Sequence, residues 1–303
     1  MNLLFDRRIP SDAGEMQSGK NISDKSKAMN HSIIGDAGIS LLLRTNLFLG
    51  TREMGKSILE YLETGGIFVP EFFDGGKLTG GKKARFDPHD LSLPLEGWLD
   101  HRYSLGIIAR RQHPVKVSLV VSATDFLMFD YLSLSVASKW FINKQRVKSF
   151  LKVATDLYGI VQANSGYVQN WRHERHLGDV TDEKGNLVGY RAPKEAKLEL
   201  HGLFWANFFG PEYVQMFGRA RLLSAHWHST EELPDGGLLL LISESPFEAV
   251  KSEYQLRKRE LYSQLGEDAF TGRILPEFRT EGRKKRDARP LLETRGIRDD
   301  VFH

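Results

Sequence analysis

No cysteine occurs in the 303 residues. That removes disulfides, thiol nucleophiles and thiolate metal sites together, and it fits a reducing compartment. Long apolar runs are missing too. The longest, such as residues 238–242, are strand-length, whereas a membrane-spanning helix needs about 20 residues. Near the N-terminus only Leu3, Leu4 and Phe5 form an apolar run before Arg7 and Arg8, too little for the apolar region of a secretory leader. Charge of one sign is scarce. The net charge is +3, which by itself predicts neither nucleic acid nor an anionic membrane as partner. The expectation is a cytoplasmic protein with no membrane partner. What is present is aromatic: 18 Phe, 9 Tyr and 5 Trp suffice to fill a core and argue against wholesale disorder.

The chain reads as one main domain with two arms. Residues 1–35 are rich in Ser, Lys, Asp and Asn without periodicity and are expected to be a mobile N-terminal arm. The core domain is expected over 36–270, and a basic, poorly ordered tail over 271–303. Within the core, a Leu/Phe-rich strand spans 39–49 and ends at Gly50. Thr51 then caps a helix whose apolar stripe is Met54, Ile58, Tyr61 and Leu62, stopped at Gly65-Gly66. Residues 74–97, with two glycine pairs and two prolines, read as loop.

Val115, Val117, Leu119 and Val121 alternate with Lys116 and Ser118, and Leu132, Leu134 and Val136 alternate with Ser133 and Ser135, so these runs form an antiparallel hairpin. Val147, Phe150, Leu151, Ala154, Leu157, Tyr158 and Val161 keep helical spacing over four turns. Residues 171–196 are polar, with a turn at Lys184-Gly185-Asn186. Residues 198–209 are apolar on both faces and read as a central strand. Gly210-Pro211 starts a helix, Asp235-Gly236-Gly237 turns into a buried strand at 238–242, and Pro246-Phe247 opens a charged helix to about Gln264. The sum is an α+β fold: a mainly antiparallel sheet with helices packed on one face.

Signatures of catalysis are sparse. No Gly-x-Ser-x-Gly elbow and no dinucleotide fingerprint occurs. His173-Glu174-Arg175-His176 spaces its histidines at i and i+3, one short of the zinc-protease pattern, and reads as the charged end of the long helix. His226-Trp227-His228 is better placed, because i and i+2 on a strand share a face. A catalytic ion would still need a third ligand and a base. Two surface histidines flanking a buried Trp227 is the preferred reading, with a metal-dependent hydrolase built on His226 and His228 as the alternative. Accordingly no catalytic, cofactor-binding or metal-ligating residue is assigned. The tail carries Arg279, Arg283, Lys284, Lys285, Arg286 and Arg289, but Glu281, Asp287, Glu293, Asp299 and Asp300 dilute the field and no aromatics interleave to stack on bases. A solvated tail is preferred to a weak nucleic-acid arm.

The run Phe204-Trp205-Ala206-Asn207-Phe208-Phe209-Gly210-Pro211-Glu212-Tyr213-Val214, then Gly218, and the run Leu233-Pro234-Asp235-Gly236-Gly237-Leu238-Leu239-Leu240-Leu241, leading to Pro246, together resemble the C-terminal half of bacterial immunity proteins linked to type VI secretion and polymorphic toxins. The specific match covers residues 202–246. The resemblance implies stoichiometric neutralisation of a cognate toxin rather than turnover. Its residues are a core Trp, a strand Asn, a helix-starting Pro and turn glycines, which speak for the fold more than for an activity.

Overall fold

In β1 (Ala37–Thr45) Ile39, Leu41 and Leu43 are fully buried while Leu42 and Arg44 are half-buried, the period-two pattern of a strand with one apolar face. The structure is a computed structural model. It describes residues 37–65, 67–74, 83–99, 106–112, 115–122, 130–170, 174, 179–181, 187–190, 200, 202–266 and 270. The chain divides into two units, Met1–Gly35 and Asp36–His303. All described residues belong to the second. The expected arm 1–35 and tail 271–303 lie outside them, as does the turn at Lys184-Gly185-Asn186.

The remaining strands are β2 (Phe72–Asp74), β3 (Lys83–Arg85), β4 (Gly106–Gln112), β5 (Val115–Ser122), β6 (Asp130–Ala137), β7 (Ser165–Asn170), β8 (Asp179–Thr181), β9 (Leu187–Tyr190), β10 (Ala206–Phe209), β11 (Ser229–Glu232) and β12 (Leu238–Leu241). Ten of these strands make one antiparallel sheet in the order β11-β12-β10-β7-β1-β6-β5-β4-β2-β3, and β8 pairs with β9. The helices are α1 (Arg52–Thr64), α2 (Ser92–Leu99), α3 (Lys144–Ile160), α4 (Pro211–Phe217), α5 (Arg219–Ser224) and α6 (Ser252–Leu265), with 3₁₀ turns at Ser138–Ile142 and Pro246–Val250.

The expected antiparallel α+β class is what forms. On one face Ile39, Leu41, Leu43, Leu132, Leu134, Val136, Val168 and Phe208 meet Ile58 and Leu62 of α1 and Phe150, Ala154 and Leu157 of α3 in a single cluster. Helix packing is not limited to that face. Phe209, Leu238 and Leu240 point the other way from Phe208 and Leu239, and they join Tyr213, Phe217, Leu222, Leu261 and Leu265 of α4, α5 and α6. The sheet is therefore covered on both faces at its β10–β12 end.

Local chemistry sets the element ends. Thr51 Oγ1 accepts from Met54 N at 3.2 Å and caps α1. β1 stops at Thr45, short of the expected 49, because Thr45 Oγ1 accepts from Leu47 N at 3.0 Å and turns the chain. The stretch 74–97 is not all loop: it holds β3 and α2, which Asp90 starts by accepting from Ser92 N at 3.0 Å. Pro94 is no obstacle in a first turn, where no backbone donor is needed. The strand expected over 198–209 shrinks to β10, because Asn207 Oδ1 accepts from Phe204 N at 3.0 Å and its Nδ2 donates to Phe204 O at 2.8 Å. Those two bonds fold 204–207 back on itself. Trp205, beside this turn, is fully buried, and its Nε1 donates to Ser243 O at 2.9 Å. The helix expected from Pro246 breaks at Lys251, whose ψ of 144° is extended.

β7 went unread in the sequence, yet it lies between β1 and β10 with all six residues buried. Helix α3 delivers the chain to it through a Schellman turn: Ala163 N donates to Tyr158 O at 3.0 Å and Gln162 N to Gly159 O at 3.2 Å. Gln162 takes the left-handed position, φ 45°, that glycine usually fills. Gly166 is required in β7, since a Cβ there would sit 2.7 Å from Leu42 O.

Candidate functional site

Strand register lines up three rows on the face away from α1 and α3. They are Ser135–Ser40–Gln169, Ser133–Leu42–Tyr167–Asn207 and Tyr131–Arg44–Ser165–Phe209, running across β6, β1, β7 and β10. The rows between them, on the opposite face, run Leu134–Leu41–Val168–Ala206 and Leu132–Leu43–Gly166–Phe208. One face is apolar throughout; the other is largely hydroxyl, amide and guanidinium. Ser40 and Ser135 bond to each other at 2.7 Å between their Oγ atoms.

A cleft of about 20 Å³ opens on this polar face, lined by Arg44, Ser165, Gly166, Tyr167, Leu200, Gly202, Asn207, Phe209 and Tyr213. That is room for about one or two oxygen-sized atoms. The Arg44 guanidinium lies 6.0 Å from the centre of the Tyr167 ring, which stacks on Phe204 at 4.2 Å. Arg44 has no ion pair among the described residues. Tyr213 is brought in by α4, whose Pro211 occupies the first helical turn. Burial pushes its phenol up, while Arg44 and a hydrogen bond with Ser165 pull it down and Glu212 adds to the rise. Glu212 is itself held by Asn164 Nδ2 at 3.4 Å.

Beyond the end of β7 lies a second, closed polar cluster. Glu174 is buried; its Oε2 accepts from Asn170 N at 2.9 Å and its Oε1 accepts from the Tyr254 hydroxyl. Lys258, also buried, places Nζ 3.9 Å from Glu174 Oε1 and 5.7 Å from the centre of the Phe204 ring. Burial raises Glu174 against the pull of Lys258, Tyr254 and two backbone donors, and burial lowers Lys258 against the pull of Glu174. Gln169 donates to Glu174 O at 3.0 Å, and its own Oε1 is buried with no partner among the described residues. This arrangement ties β7 to α6.

The sequence candidates fall elsewhere. His173 and His176 lie outside the described residues. His226 and His228 precede β11 instead of lying on a strand, so the shared-face premise does not hold for them. Both are exposed. His226 Nδ1 is 3.1 Å from Glu260 Oε2, and His228 N donates to Leu241 O at 2.8 Å. Trp227 between them is half-buried, with Nε1 donating to Leu222 O at 2.9 Å. Among the described residues no three His, Asp or Glu side chains converge as metal ligands. No described helix is long and apolar enough to cross a membrane.

Sequence reading missed Arg44, Tyr167, Tyr213, Glu174 and Lys258 as a set. Two signals were there to find. Arg44 is the one charge inside the apolar run 39–49, and Lys258 falls on the Tyr254, Leu261, Tyr262, Leu265 stripe of α6.

No protein-family model matches this chain. No curated protein matches it either. Among solved structures it is similar to the Pseudomonas aeruginosa T6SS protein PA0821, at a TM-score of 0.47 and 15% identity over 75% of this chain and 71% of that one.

Proposed function

We propose that this chain is an immunity-type protein that neutralises a cognate bacterial toxin by binding it in the cytoplasm. The observation that carries the reading is the polar sheet face around Arg44, a guanidinium without an ion pair among the described residues, set against Tyr167 and beside Tyr213. Arginine and tyrosine are the residues that anchor protein interfaces, because each joins a large flat contact area to directional hydrogen bonding. A cleft of about 20 Å³ suits the tip of one side chain from a partner better than a whole substrate. The resemblance over 202–246 adds the toxin as the kind of partner. Its matched residues serve the scaffold that presents this face: Trp205 fills the core, Asn207 pins Phe204, Pro211 starts α4, and Gly237 lies where a Cβ would meet Phe209 O at 2.7 Å.

The test is production beside the toxin encoded next to its gene. Growth should be restored, and the two proteins should co-purify in fixed ratio. Protection without complex formation, or no protection, would contradict the proposal.

A further inference from the structure

We infer that the Arg44 cleft is a carboxylate-binding subsite. The inference rests on the binding role proposed above only for the source of the carboxylate, not for the chemistry of the site. Two donors converge there: the planar fork of Arg44 and the Tyr213 hydroxyl, whose oxygen accepts from the Ser165 hydroxyl and whose own O–H stays free to donate. A guanidinium presents parallel N–H groups that match the two oxygens of a carboxylate, and it sheds water more readily than an ammonium does. Arg44 is half-buried on the Tyr167 ring, so its charge is partly desolvated already and no carboxylate of the described residues neutralises it. An incoming anion would restore the interaction that burial has removed.

The cleft also selects among anions. Its volume admits one or two oxygens, which suits the flat end of a carboxylate. Glu212, whose charge already reaches Tyr213, repels a second anion in proportion to its charge and so favours a monoanion over a dianion. The carboxylate could be the end of an Asp or Glu side chain on a protein partner, or a small free acid; the chemistry is shared.

The experiment follows the backbone amide resonance of Gly166, which lines the cleft and is present in every variant, in the full-length protein while sodium acetate is added, with sodium chloride at matched ionic strength as control. Acetate should move the resonance to saturation with a dissociation constant on the order of 10 mM, the scale of a single small contact, and chloride should not. Tyr213→Phe should weaken acetate several-fold by removing one donor. Arg44→Lys should lose the response nearly as fully as Arg44→Ala. Equal responses to acetate and chloride, or full acetate binding by Arg44→Lys, would overturn the inference, because either means charge alone is read.

The toxin separates the two sources. If bound toxin abolishes the acetate response and Arg44→Ala weakens toxin binding at least about tenfold, the carboxylate belongs to the protein partner. If toxin binds and the acetate response persists in the complex, the subsite takes a small free acid. If no toxin binds, the proposed function fails while the acetate result still decides the subsite.

Discussion

The two faces of this sheet follow opposite rules, although they share the same backbone. Along β1, Ile39, Leu41 and Leu43 enter an apolar core, while Ser40, Leu42 and Arg44, one residue out of step, meet hydroxyls, an aromatic ring and a cleft. The apolar face needs only volume and shape, which the chain supplies itself. The polar face needs a hydrogen-bond partner for every group it inters, and an unmet group costs about 1–3 kcal/mol. Where the chain supplies the partner, as at Ser40 and Ser135, the face is structural. Where the described residues do not, as at Arg44, the face is the one proposed above to receive a ligand.

The largest effects should come from the apolar face. Phe150 is fully buried and packs edge-on to Phe141 at 4.8 Å between ring centres. Phe150→Ala should cost about 3–5 kcal/mol, read from urea denaturation. A loss under about 1 kcal/mol would mean that the face is not the main source of stability.

Close behind stands the closed cluster at the end of β7. Lys258→Met removes the cation beside Glu174 and leaves that carboxylate buried, which should cost about 3–5 kcal/mol, whereas Glu174→Gln combined with Lys258→Met should recover most of that loss. The pH dependence comes from the two directions. Glu174 is raised in the fold, so its contribution to stability is complete below the unfolded-state value and falls as pH rises through the folded value. Lys258 is lowered, so its contribution is complete above the unfolded-state value and is lost as pH falls through the folded one. Lys258→Met should therefore erase the alkaline change and move the acidic one to higher pH. A double variant no more stable than the single one would show that the pair is not coupled.

On the polar face the expected effects are smaller. Ser40→Ala leaves the Ser135 hydroxyl buried without its partner, for a loss of about 1 kcal/mol in melting experiments. Smallest of all, His226→Ala with His228→Ala should change stability by less than about 0.5 kcal/mol, as expected for exposed positions. The same double variant should keep its protection against the toxin. Loss of protection there, with one bound metal ion per unmutated chain, would restore the hydrolase alternative.

What the sequence disclosed tracks this division of faces. Elements with an apolar stripe on one side were legible: α1 and α3 by their three/four spacing, the β5–β6 hairpin by an alternation broken in β5 only at Val120, β12 by its run of leucines. β7 was not, because Ser165, Gly166, Gln169 and Asn170 are loop residues by composition, and only their neighbours in β1 and β10 make a strand of them. β10 was over-extended for a related reason. An apolar run shows that residues are buried, but it does not reveal the Asn207 bonds that turn the backbone before the strand begins. The site was less legible still. Arg44 and Tyr213 are 169 positions apart, and the sheet and α4 bring them together, with no local spacing to betray it. The histidine pair drew attention because short-range motifs are visible, but its strand premise failed at the start of β11.

The comparison of faces is tested most directly by Arg44→Ala, assayed for toxin affinity and melting temperature on the same preparation. If the polar face is reserved for a partner, stability should stay within about 0.5 kcal/mol of the unmutated protein while affinity falls at least about tenfold. Unchanged affinity with lowered stability would make Arg44 a structural residue, and would contradict the account of this face as the one that binds.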